Sequence, residues 1–571
     1  MPVFNRREFL RGGFGALALG LSRRPFGVHA AEVGAGGTLT LGQTRPVTLL
    51  PDSPASVLVD GMPFAPWFTG DDFNNSAIPF HAAENTFPNG PPPPTEDVDV
   101  AIIGGGLSGL ATALLLKRFR PVVFELRPRF GGNAQGEIWA GTPFSLGSAY
   151  FISPDPGSFL HRFYRQLGLH RVARVDQGDN PVELGGRIVD GFWQGAASPP
   201  EEMLAFQRYA QIVQYYATDA YPDIPLPPGG DNQWIRELDQ RTLRDDIELN
   251  MGGLEIPPLL AAAIQAYCYS SFGVGWDEIS AASGWNFIAA EEYGRWVLPG
   301  GNAYMVDAIW QELARQHGDQ PAMRRLRGGC KVVDVRLVSG GRVQVTYADP
   351  GGAFRSLRAR RVVMANSKHI AKYMLHDLAR LDVAKFNAMT RLEYAAYVVA
   401  NVLIDAPRSR DDYDVFMLRD GNFPMNGNAA QADSRFVDVV NGQFARQHPL
   451  PRTVLTLYWP LPWHTARFAL IAEDGWRDFA ERAARDIRAA LPTFGLPAHA
   501  VRQVRLTRWG HAMPVAAPGL IADGTVEHLR RPFEGRVYFV NQDNWALPAV
   551  ENSLLEAEHY AEVIARDLRQ A

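Results

Sequence analysis

A glycine-rich turn between an apolar run and a leucine- and alanine-rich stretch limits what this 571-residue chain can fold into. Residues 98–103 read VDVAII, residues 104–109 read GGGLSG, and residues 110–118 read LATALLLKR. The short β-branched run predicts a strand, and the longer stretch predicts a helix. A second strand is predicted at residues 121–125, PVVFE. This order defines a βαβ unit, so we expect an α/β fold with a Rossmann-like, mainly parallel sheet.

The turn has the spacing G-x-G-x-x-G, and each glycine has a distinct physical role. Gly104 permits a tight turn, Gly106 lets the backbone approach a pyrophosphate, and Gly109 lets the helix pack closely on the sheet. Leu107 and Ser108 precede the predicted helix and are expected to bind the cofactor, because the unpaired N–H groups and the positive dipole end of a helix N-terminus favour phosphate. The turn therefore predicts a dinucleotide site.

Glu125 ends the second predicted strand, sixteen residues after Gly109. A carboxylate there accepts hydrogen bonds from ribose hydroxyls and repels a 2′-phosphate, which argues against NADP as the ligand. The alternative is a glycine-rich turn of some other α/β protein.

The residues after this strand distinguish FAD from NAD. Residues 125–133 read ELRPRFGGN, which resembles the E-x-R-x-R-x-G-G-R signature of the flavin-containing amine oxidase superfamily. Four residues match it: Glu125, Arg129, Gly131 and Gly132. Asn133 stands where the final arginine of the signature usually stands. The resemblance implies FAD, held in the manner of the glutathione-reductase and amine-oxidase type of nucleotide domain.

Later segments extend the resemblance over residues 98–557. Four of them are similar to family elements near the flavin: residues 146–151, 296–302, 332–335 and 535–543. Val332 matches the position that flanks the adenine, and Asp543 takes the place of the acidic residue at the ribityl or pyrophosphate end. Within the superfamily, residues 130–134, residues 506–511 and Asn541 resemble the bacterial spermidine dehydrogenase-like group.

The resemblance implies an enzyme that oxidises an amine, polyamine or amino-acid-like, by hydride transfer to flavin N5. Trp509 and Trp545 flank flavin motifs, and His511 is a candidate for orienting substrate or moving a proton. These three are the candidate catalytic residues. Other aromatic residues could line the pocket or belong to the core: Tyr267, Tyr269, Phe272, Trp276, Tyr458, Trp459 and Trp463.

The positions of the lysines leave the identity of the electron acceptor open. Many enzymes of the superfamily carry a lysine near flavin N5 on a strand resembling residues 394–403, where this chain has Ala400 or Asn401. An oxidase and a dehydrogenase are therefore both open, with oxygen, a quinone or a cytochrome as acceptor. Lys368, just after the strand predicted at residues 361–365, is expected at the surface.

Two other functions compete with amine oxidation. One is a desaturase of an apolar substrate, resembling phytoene dehydrogenases. The other is a non-catalytic flavin-fold protein. Nucleic acid is not an expected partner, because the formal net charge is −5. The two cysteines exclude a disulfide scaffold and a cysteine-rich zinc or iron–sulfur module, and we expect no metal site.

The N-terminus resembles a twin-arginine export signal over residues 1–30. Arg6 and Arg7 precede a weak apolar run at residues 12–21, and residues 28–30 read VHA, with small residues at the positions required for cleavage. An ordinary Sec signal is the alternative. We expect the twin-arginine machinery as a partner, a periplasmic or extracytoplasmic location, and no stable membrane span, since a bilayer needs about 20 apolar residues.

Composition and motif positions predict the domains. Residues 31–96 are a Pro- and Gly-rich extension lying over the surface, with residues 88–96 as linker and a short strand pair around residues 39–50. The FAD-binding domain is expected in three pieces, and an inserted α+β substrate domain in two: residues 97–190, 296–370 and 505–571 for the first, and 191–295 and 371–504 for the second.

Overall fold

The computed structural model describes residues 39–72, 87–178, 180–230, 232–317, 324–421, 435–446, 448, 450–471 and 475–570. The predicted signal at residues 1–30 lies outside these residues. None of the described helices is long and apolar enough to cross a membrane.

The βαβ unit forms the centre of a sheet that has seven strands within the described residues. We call it the βαβ sheet; in spatial order its main path is Leu326–Arg327, Val122–Phe124, Pro94–Ile103, Phe354–Met364, Arg342–Ala348 and Lys331–Val338. Val537–Phe539 pairs in parallel with the end of the long fourth strand, where Val363 is opposite Tyr538. The first four strands are parallel neighbours, and the last two form an antiparallel meander.

Three helices cover one face of the βαβ sheet: Leu107–Leu115, Ala303–His317 and Val550–Gln570. Their apolar residues pack on Val100 and Ile102 of the central strand, whereas Ala101 and Ile103 belong to the core on the opposite face. This alternation is the period-two pattern of a strand buried on both sides.

A second sheet, which we call the large sheet, has ten strands within the described part of the chain. Its path is Arg187–Val189, Val182–Leu184, Asp414–Arg419, Asp438–Asn441, Thr453–Leu461, Tyr394–Ile404, Val501–Pro514, Met62–Phe64 and Val57–Val59, with Thr69–Gly70 also on Val501–Pro514. Val398, Ala400 and Val402 point to a core shared with the helix Gly475–Ala490. Tyr397 and Val399 point to the other face, which borders the cavity described below.

The remaining elements complete the walls between the two sheets. One small sheet contains Val47–Leu49, Gly136–Trp139 and Thr142–Ser145. Another contains Arg174–Asp176, Arg295–Val297 and Tyr150–Ile152. The other helices are Leu41–Thr44, Phe159–Gln166, Met203–Thr218, Gln233–Asp239, Leu243–Asn250, Pro258–Phe272, Ala281–Ile288, Lys368–Met374, Leu378–Leu381, Val383–Arg391, Ala466–Ile471 and Thr525–Arg530.

The fold is α/β, as predicted, but the N-terminal region differs from its prediction. Residues 39–72, the N-terminal segment, contribute strands to two sheets instead of lying over the surface. The proposed strand pair at residues 39–50 is a short helix followed by one strand, and the predicted linker enters the central strand at Pro94. Pro94 is tolerated because it occupies the first position of that strand.

The division into domains stays a prediction, and the sheets bear on two of its boundaries. Residue 505 lies inside Val501–Pro514, and Val182–Leu184, placed with the FAD-binding pieces, belongs to the large sheet. A three-residue strand carries too little periodicity to be assigned to a sheet from sequence.

A candidate cofactor and substrate cavity

A cavity of about 1310 Å³ lies between the βαβ sheet and the large sheet. One part is lined by the glycine turn and the residues after Glu125, and another by side chains of the large sheet, including Tyr397 and Tyr458. Trp509 lies between them, with its ring 5.2 Å from the Arg127 guanidinium. The first residues of the C-terminal helix, Val550 and Glu551, line its middle section. It therefore joins the predicted dinucleotide site to an aromatic pocket.

The glycine turn has the geometry that its spacing predicts. Gly104 has φ +111°, and a Cβ there would lie 2.8 Å from the Ala365 carbonyl oxygen. A Cβ on Gly109 would lie 1.9 Å from the Gly104 oxygen, so the helix reaches the strand only with glycine at that position. Gly106 faces the second glycine pair, and its Cβ would lie 3.4 Å from Gly132 Cα. The two loops thus leave a narrow cleft open to the cavity.

Glu125 lies at the end of its strand with its carboxylate fixed by backbone donors. The Gly105 amide donates to Oε2 at 2.8 Å, and the Arg127 amide donates to Oε1 at 3.0 Å. Leu107 and Ser108 line the cavity beside it at the start of the helix. The carboxylate therefore also holds the glycine turn in place.

Two arginines present unsatisfied nitrogens at this end of the cavity. Arg127 and Arg129 both line it, and the Nη1 atom of each is buried with no hydrogen-bond partner in the described part of the chain. Burial lowers the pKa of Arg129, with a further contribution from Arg127. Two desolvated guanidinium groups beside a helix N-terminus fit a diphosphate, the group that FAD would place there.

Gly131 and Gly132 form the second loop of the cleft. Gly131 has φ +120° and donates its amide to the Gly105 oxygen at 2.8 Å, and Gly132 has φ +57°. Val332 lines the same end, next to Cys330. The predicted cofactor residues of the βαβ sheet are therefore brought to one cavity.

Asp543 also lines the cavity, and its surroundings were not predicted. Its Oδ2 accepts hydrogen bonds from the Tyr394 hydroxyl at 2.6 Å and from the Lys368 amide at 2.9 Å. Asn541 beside it donates to the Asn366 carbonyl at 2.9 Å. The C-terminal motif is thus tied to the end of the Phe354–Met364 strand.

Lys368 is fully buried, so its expected place at the surface was wrong. Its Nζ donates to Asn541 Oδ1 at 2.6 Å and to Asn544 Oδ1 at 2.7 Å. Burial lowers its pKa to about 8, against the opposing effects of Asp543 and Glu556. Lysine is almost never buried without such partners, which is why the sequence favoured the surface.

The three candidate catalytic residues have different positions. Trp509 and His511 line the cavity, with the Trp509 indole N–H donating to the Leu146 carbonyl at 2.8 Å. Trp545 is buried outside the lining; its indole donates to Glu556 at 3.0 Å and stacks under Arg530 at 4.4 Å. The structure therefore does not bring Trp545 to the pocket.

His511 belongs to a cationic cluster. Arg467 Nη1 lies 2.8 Å from its Nε2 and 3.2 Å from His369 Nε2, and the centroids of the two imidazole rings lie 4.3 Å apart with the ring planes tilted by 32°. Burial, His369, Arg467 and Lys372 lower the pKa of His511 well below its usual value. Because a guanidinium only donates, Nε2 of the neutral ring accepts and its proton is on Nδ1. This favours an orienting donor over a general base.

Of the other aromatic candidates, only Tyr458 lines the cavity. The structure places the remaining ones elsewhere: Tyr267, Tyr269, Phe272, Trp276, Trp459 and Trp463. Seven lining aromatic residues had not been singled out as pocket candidates: Phe124, Tyr150, Phe151, Phe159, Tyr221, Phe287 and Tyr397. Tyr397 lies in a nearly continuous apolar strand, where periodicity gives no sign of which face meets a cavity.

Four carboxyl groups lie behind the aromatic wall: the buried Glu291, Asp414 and Asp438, and the partly exposed Asp176. Two lining hydroxyls connect to them, since Tyr150 donates to Glu291 at 3.2 Å and Ser270 donates to Asp438 at 2.8 Å. The Arg295 guanidinium contacts three of the four. Burial raises the pKa of Glu291, Asp414 and Asp438. The wall therefore combines aromatic faces with an excess of acidic groups.

Comparison with known proteins supports a flavin as the ligand of this cavity. The family model for flavin containing amine oxidoreductases matches residues 107–540. The chain belongs to this family. Oxidoreductase PigB of Serratia sp. (strain ATCC 39006) is 22% identical to this amine oxidoreductase over 547 residues, covering 86% of the chain and 78% of the relative.

Solved structures share the fold of this amine oxidoreductase. A putrescine oxidase matches with a TM-score of 0.60 and 16% identity, and cyclohexylamine oxidase from Brevibacterium oxydans IH-35A with 0.58 and 18%. Each match covers 83% of this chain and 100% of the other. The protein is an FAD-dependent oxidoreductase, as predicted.

Replacing Glu125 with alanine is expected to weaken FAD binding about 10- to 100-fold, because charge-assisted hydrogen bonds contribute about 1.5–3 kcal/mol. The loss also frees the Gly105 and Arg127 amides. Titrating apoprotein with FAD and following quenching of the flavin fluorescence measures the change. Glu248→Ala, which removes an exposed carboxylate paired with Arg244, is the matched control. Equal affinity for the Glu125 variant and this control would contradict the prediction.

All of the yellow colour is expected in the supernatant after acid precipitation, because FAD binds without a covalent link. Cys330 lies at the Glu125 end of the cavity, where its amide donates to the Glu125 carbonyl at 2.9 Å, and Cys268 is not in the lining. Colour that stays in the pellet would show a covalent flavin.

Proposed function

We propose that this oxidoreductase is exported, oxidises a small amine with a hydrocarbon body, polyamine or amino-acid-like, and passes the electrons to an acceptor other than oxygen. The observation that supports this most strongly is the aromatic wall with carboxyl groups directly behind it. FAD, held by the glycine turn and the residues after Glu125, would supply the acceptor for a hydride from the carbon next to the nitrogen. The chain itself must hold that carbon, exclude water and favour the amine.

The aromatic wall suits the hydrocarbon part and the charge of an amine. Tyr397 and Tyr458 meet edge to face at 6.4 Å, and the Tyr458 hydroxyl donates to the Gly147 carbonyl at 2.7 Å. Their hydroxyls are therefore satisfied within the protein, and their rings remain as apolar surface. Such faces attract an alkylammonium ion by about 0.5–2 kcal/mol.

The acidic groups behind the wall support a cationic ligand. Arg295 supplies one positive charge to the group of four carboxyls that it touches or neighbours. Burial raises the pKa of Glu291 and Asp438, and carboxyl groups outnumber the guanidinium in this cluster by four to one. A substrate that arrives as an ammonium ion gains from this field.

The proposed electron acceptor follows from the residues that line the cavity. No lysine lines the cavity within the described residues, and Asn401 donates instead to the Ser145 carbonyl at 3.0 Å. The family resemblance associates a lysine near N5 with efficient use of oxygen. A quinone or a cytochrome is therefore the proposed acceptor, and we expect dehydrogenase activity with an artificial acceptor dye to exceed oxidase activity.

An anaerobic bleaching screen tests the function. Polyamines and alkylamines are expected to bleach the yellow colour of the oxidised flavin. Amino acids are the second group of compounds in the screen, and isoprenoids are the third. Bleaching by isoprenoids alone would establish a desaturase, and purified protein without flavin would favour the non-catalytic alternative. The resemblance to spermidine dehydrogenases makes spermidine the first polyamine to test.

Two variants of Tyr397 make the screen specific for the pocket. Tyr397→Leu is expected to demand a higher amine concentration for bleaching, because it removes the ring. Tyr397→Phe keeps the ring and is the matched control, although it loses hydroxyl hydrogen bonds to the Tyr269 and Ser270 carbonyls. Identical titrations for both variants would place the amine elsewhere.

Changing Arg6 and Arg7 together to lysine is expected to leave the enzyme and its flavin inside the cell. The substitution keeps the charge, but the pair is read by a receptor. A cofactor that binds only the folded state stabilises that state before transport. Cell fractionation measures the outcome, and undiminished periplasmic enzyme would indicate an ordinary Sec signal.

A further inference from the structure

We propose that the N-terminal segment, residues 39–72, retains FAD by clasping the diphosphate end of the cavity. The segment supports the second glycine loop from behind at one end and forms part of the cavity wall at the other. Its role is thus to slow release of the cofactor.

The first end of the segment lies behind the loop that contains Gly131. The Phe130 amide donates to the Thr44 carbonyl at 3.0 Å, and a Cβ on Gly131 would lie 3.4 Å from Pro46 Cβ. Arg45 makes two hydrogen bonds of 2.8 Å to Asp307 on the helix Ala303–His317. That helix packs on the phosphate-binding helix, so this end is anchored to the frame of the glycine cleft.

The middle of the segment connects the small sheet next to the loop with the large sheet. Val47–Leu49 pairs in parallel with Gly136–Trp139, and Gln503 donates to the Ala55 carbonyl at 2.7 Å. Met62–Phe64 and Thr69–Gly70 then pair with Val501–Pro514. A single stretch of chain therefore bridges the two sides of the cavity.

The second end, residues 69–72, lines the cavity. Asp71 Oδ2 accepts from the Gly510 amide at 2.8 Å, and Oδ1 lies 3.8 Å from Arg127 Nη1. The Asp71 amide also donates to the Arg508 carbonyl at 2.9 Å, and Arg508 Nε donates to the Asp71 carbonyl at 2.8 Å. The Arg127 guanidinium therefore has Asp71 on one side and the Trp509 ring, 5.2 Å away, on another. These two contacts orient the guanidinium that the diphosphate would meet.

Gly70 permits this closure. It has φ +87°, and a Cβ there would lie 2.4 Å from the Arg508 carbonyl oxygen. A side chain at this position must push the segment away from the strand Val501–Pro514. The segment therefore lies close to the wall only because residue 70 is glycine.

Release of FAD from the holoenzyme tests the proposal. FAD fluorescence, which rises when the flavin leaves the protein, is followed after dilution of wild type, Asp71→Ala and Gly70→Val. We expect release to be about tenfold faster or more for both variants, since each loses contacts at the cavity wall. Asp52→Ala is the matched control, because Asp52 lies in the same segment with an exposed side chain that makes no hydrogen bond or ion pair within the described residues.

Thermal unfolding of the apoproteins separates retention from general stability. Losing the bond to the Gly510 amide lowers the unfolding temperature of apo Asp71→Ala, and the proposal expects this apoprotein to stay folded at the assay temperature while its holoenzyme releases FAD faster. Release at the wild-type rate from Asp71→Ala would overturn it, and so would equal acceleration in Asp52→Ala. If Gly70→Val fails to fold, Asp71→Ala alone decides.

Discussion

Replacing Gly106 with valine is expected to yield a colourless protein that binds FAD at least about 100-fold more weakly. The Cα atoms of Gly106 and Gly132 face each other across the cleft, and a Cβ on Gly106 would lie 3.4 Å from Gly132 Cα. One methyl group therefore fits against the second loop, whereas the two branches of valine project into the space where the diphosphate must lie. The loss comes from occupied space and from blocked access to the helix N-terminus.

A graded pair of variants separates this effect from misfolding. Gly106→Ala should fold and bind FAD with intermediate affinity, because its added methyl makes only ordinary contact. Gly351→Val is the matched control, since Gly351 lies in an exposed turn between strands of the meander. Flavin content of the purified proteins and FAD titration of their apo forms measure the series. A full complement of FAD in Gly106→Val would contradict the phosphate-cleft assignment.

The second large effect is a pH dependence of stability that Lys385→Met should remove. Lys385 is fully buried, and its Nζ donates to the carbonyls of His528 at 2.6 Å and Leu529 at 2.9 Å. Burial, reinforced by the charge of Lys368, lowers its pKa to about 6. The ordinary value for lysine is 10.5. The unfolded chain therefore binds a proton at this residue that the folded chain does not bind between these two values.

Unfolding takes up that proton, so it becomes less favourable as the pH rises. The free energy of unfolding should increase from about pH 6 upward by up to about 1.4 kcal/mol per pH unit, and the gain should end near pH 10.5. Lys368, with a pKa of about 8, adds to the slope only above that pH. Burial raises the pKa of Glu558 to about 7, and this group opposes the gain below that pH. The contribution of Lys385 is therefore measured as the difference in slope between wild type and Lys385→Met.

Denaturant unfolding of the apoprotein at pH 6, 7 and 8 measures the slope. The free energy of unfolding of wild type should rise by up to about 1.4 kcal/mol per pH unit more than that of Lys385→Met over this range. The stability of Lys385→Met relative to wild type should therefore be most favourable at pH 6. Lys117→Met removes an exposed lysine and should keep the wild-type slope. Parallel curves for wild type and Lys385→Met would show that the folded protein keeps this lysine protonated.

The cofactor end was predictable because its signals are local. Gly104, Gly109 and Glu125 lie within 22 consecutive residues; the two glycines meet backbone requirements that other residue types do not, and Glu125 supplies a carboxylate at the strand end. The strand, turn and helix around them are adjacent in both sequence and space. The FAD assignment followed from short motifs whose order along the chain was itself informative.

Residues whose environment depends on distant partners were predicted less well. Lys368 has its hydrogen-bond acceptors 173 and 176 residues away, in Asn541 and Asn544. Trp545 lies beside a flavin motif, but its indole turns to Glu556 on the last helix. Tyr397 and Asp71 reach the cavity because they pair with the strand Val501–Pro514. No local sequence pattern predicts this pairing.

The topology of the βαβ sheet also sets the time at which the site can form during protein synthesis. The βαβ unit is complete at Phe124, whereas the strand Val537–Phe539, which pairs with Phe354–Met364, and the helix Val550–Gln570 come from the end of the chain. At about 5–20 residues per second, a ribosome needs roughly 20–80 s to make the intervening residues. Throughout that time the glycine turn exists without Asp543 and without the helix end that lines the cavity. Cofactor loading is therefore post-translational, and the flavin pool of the cell acts on finished chains rather than on nascent ones.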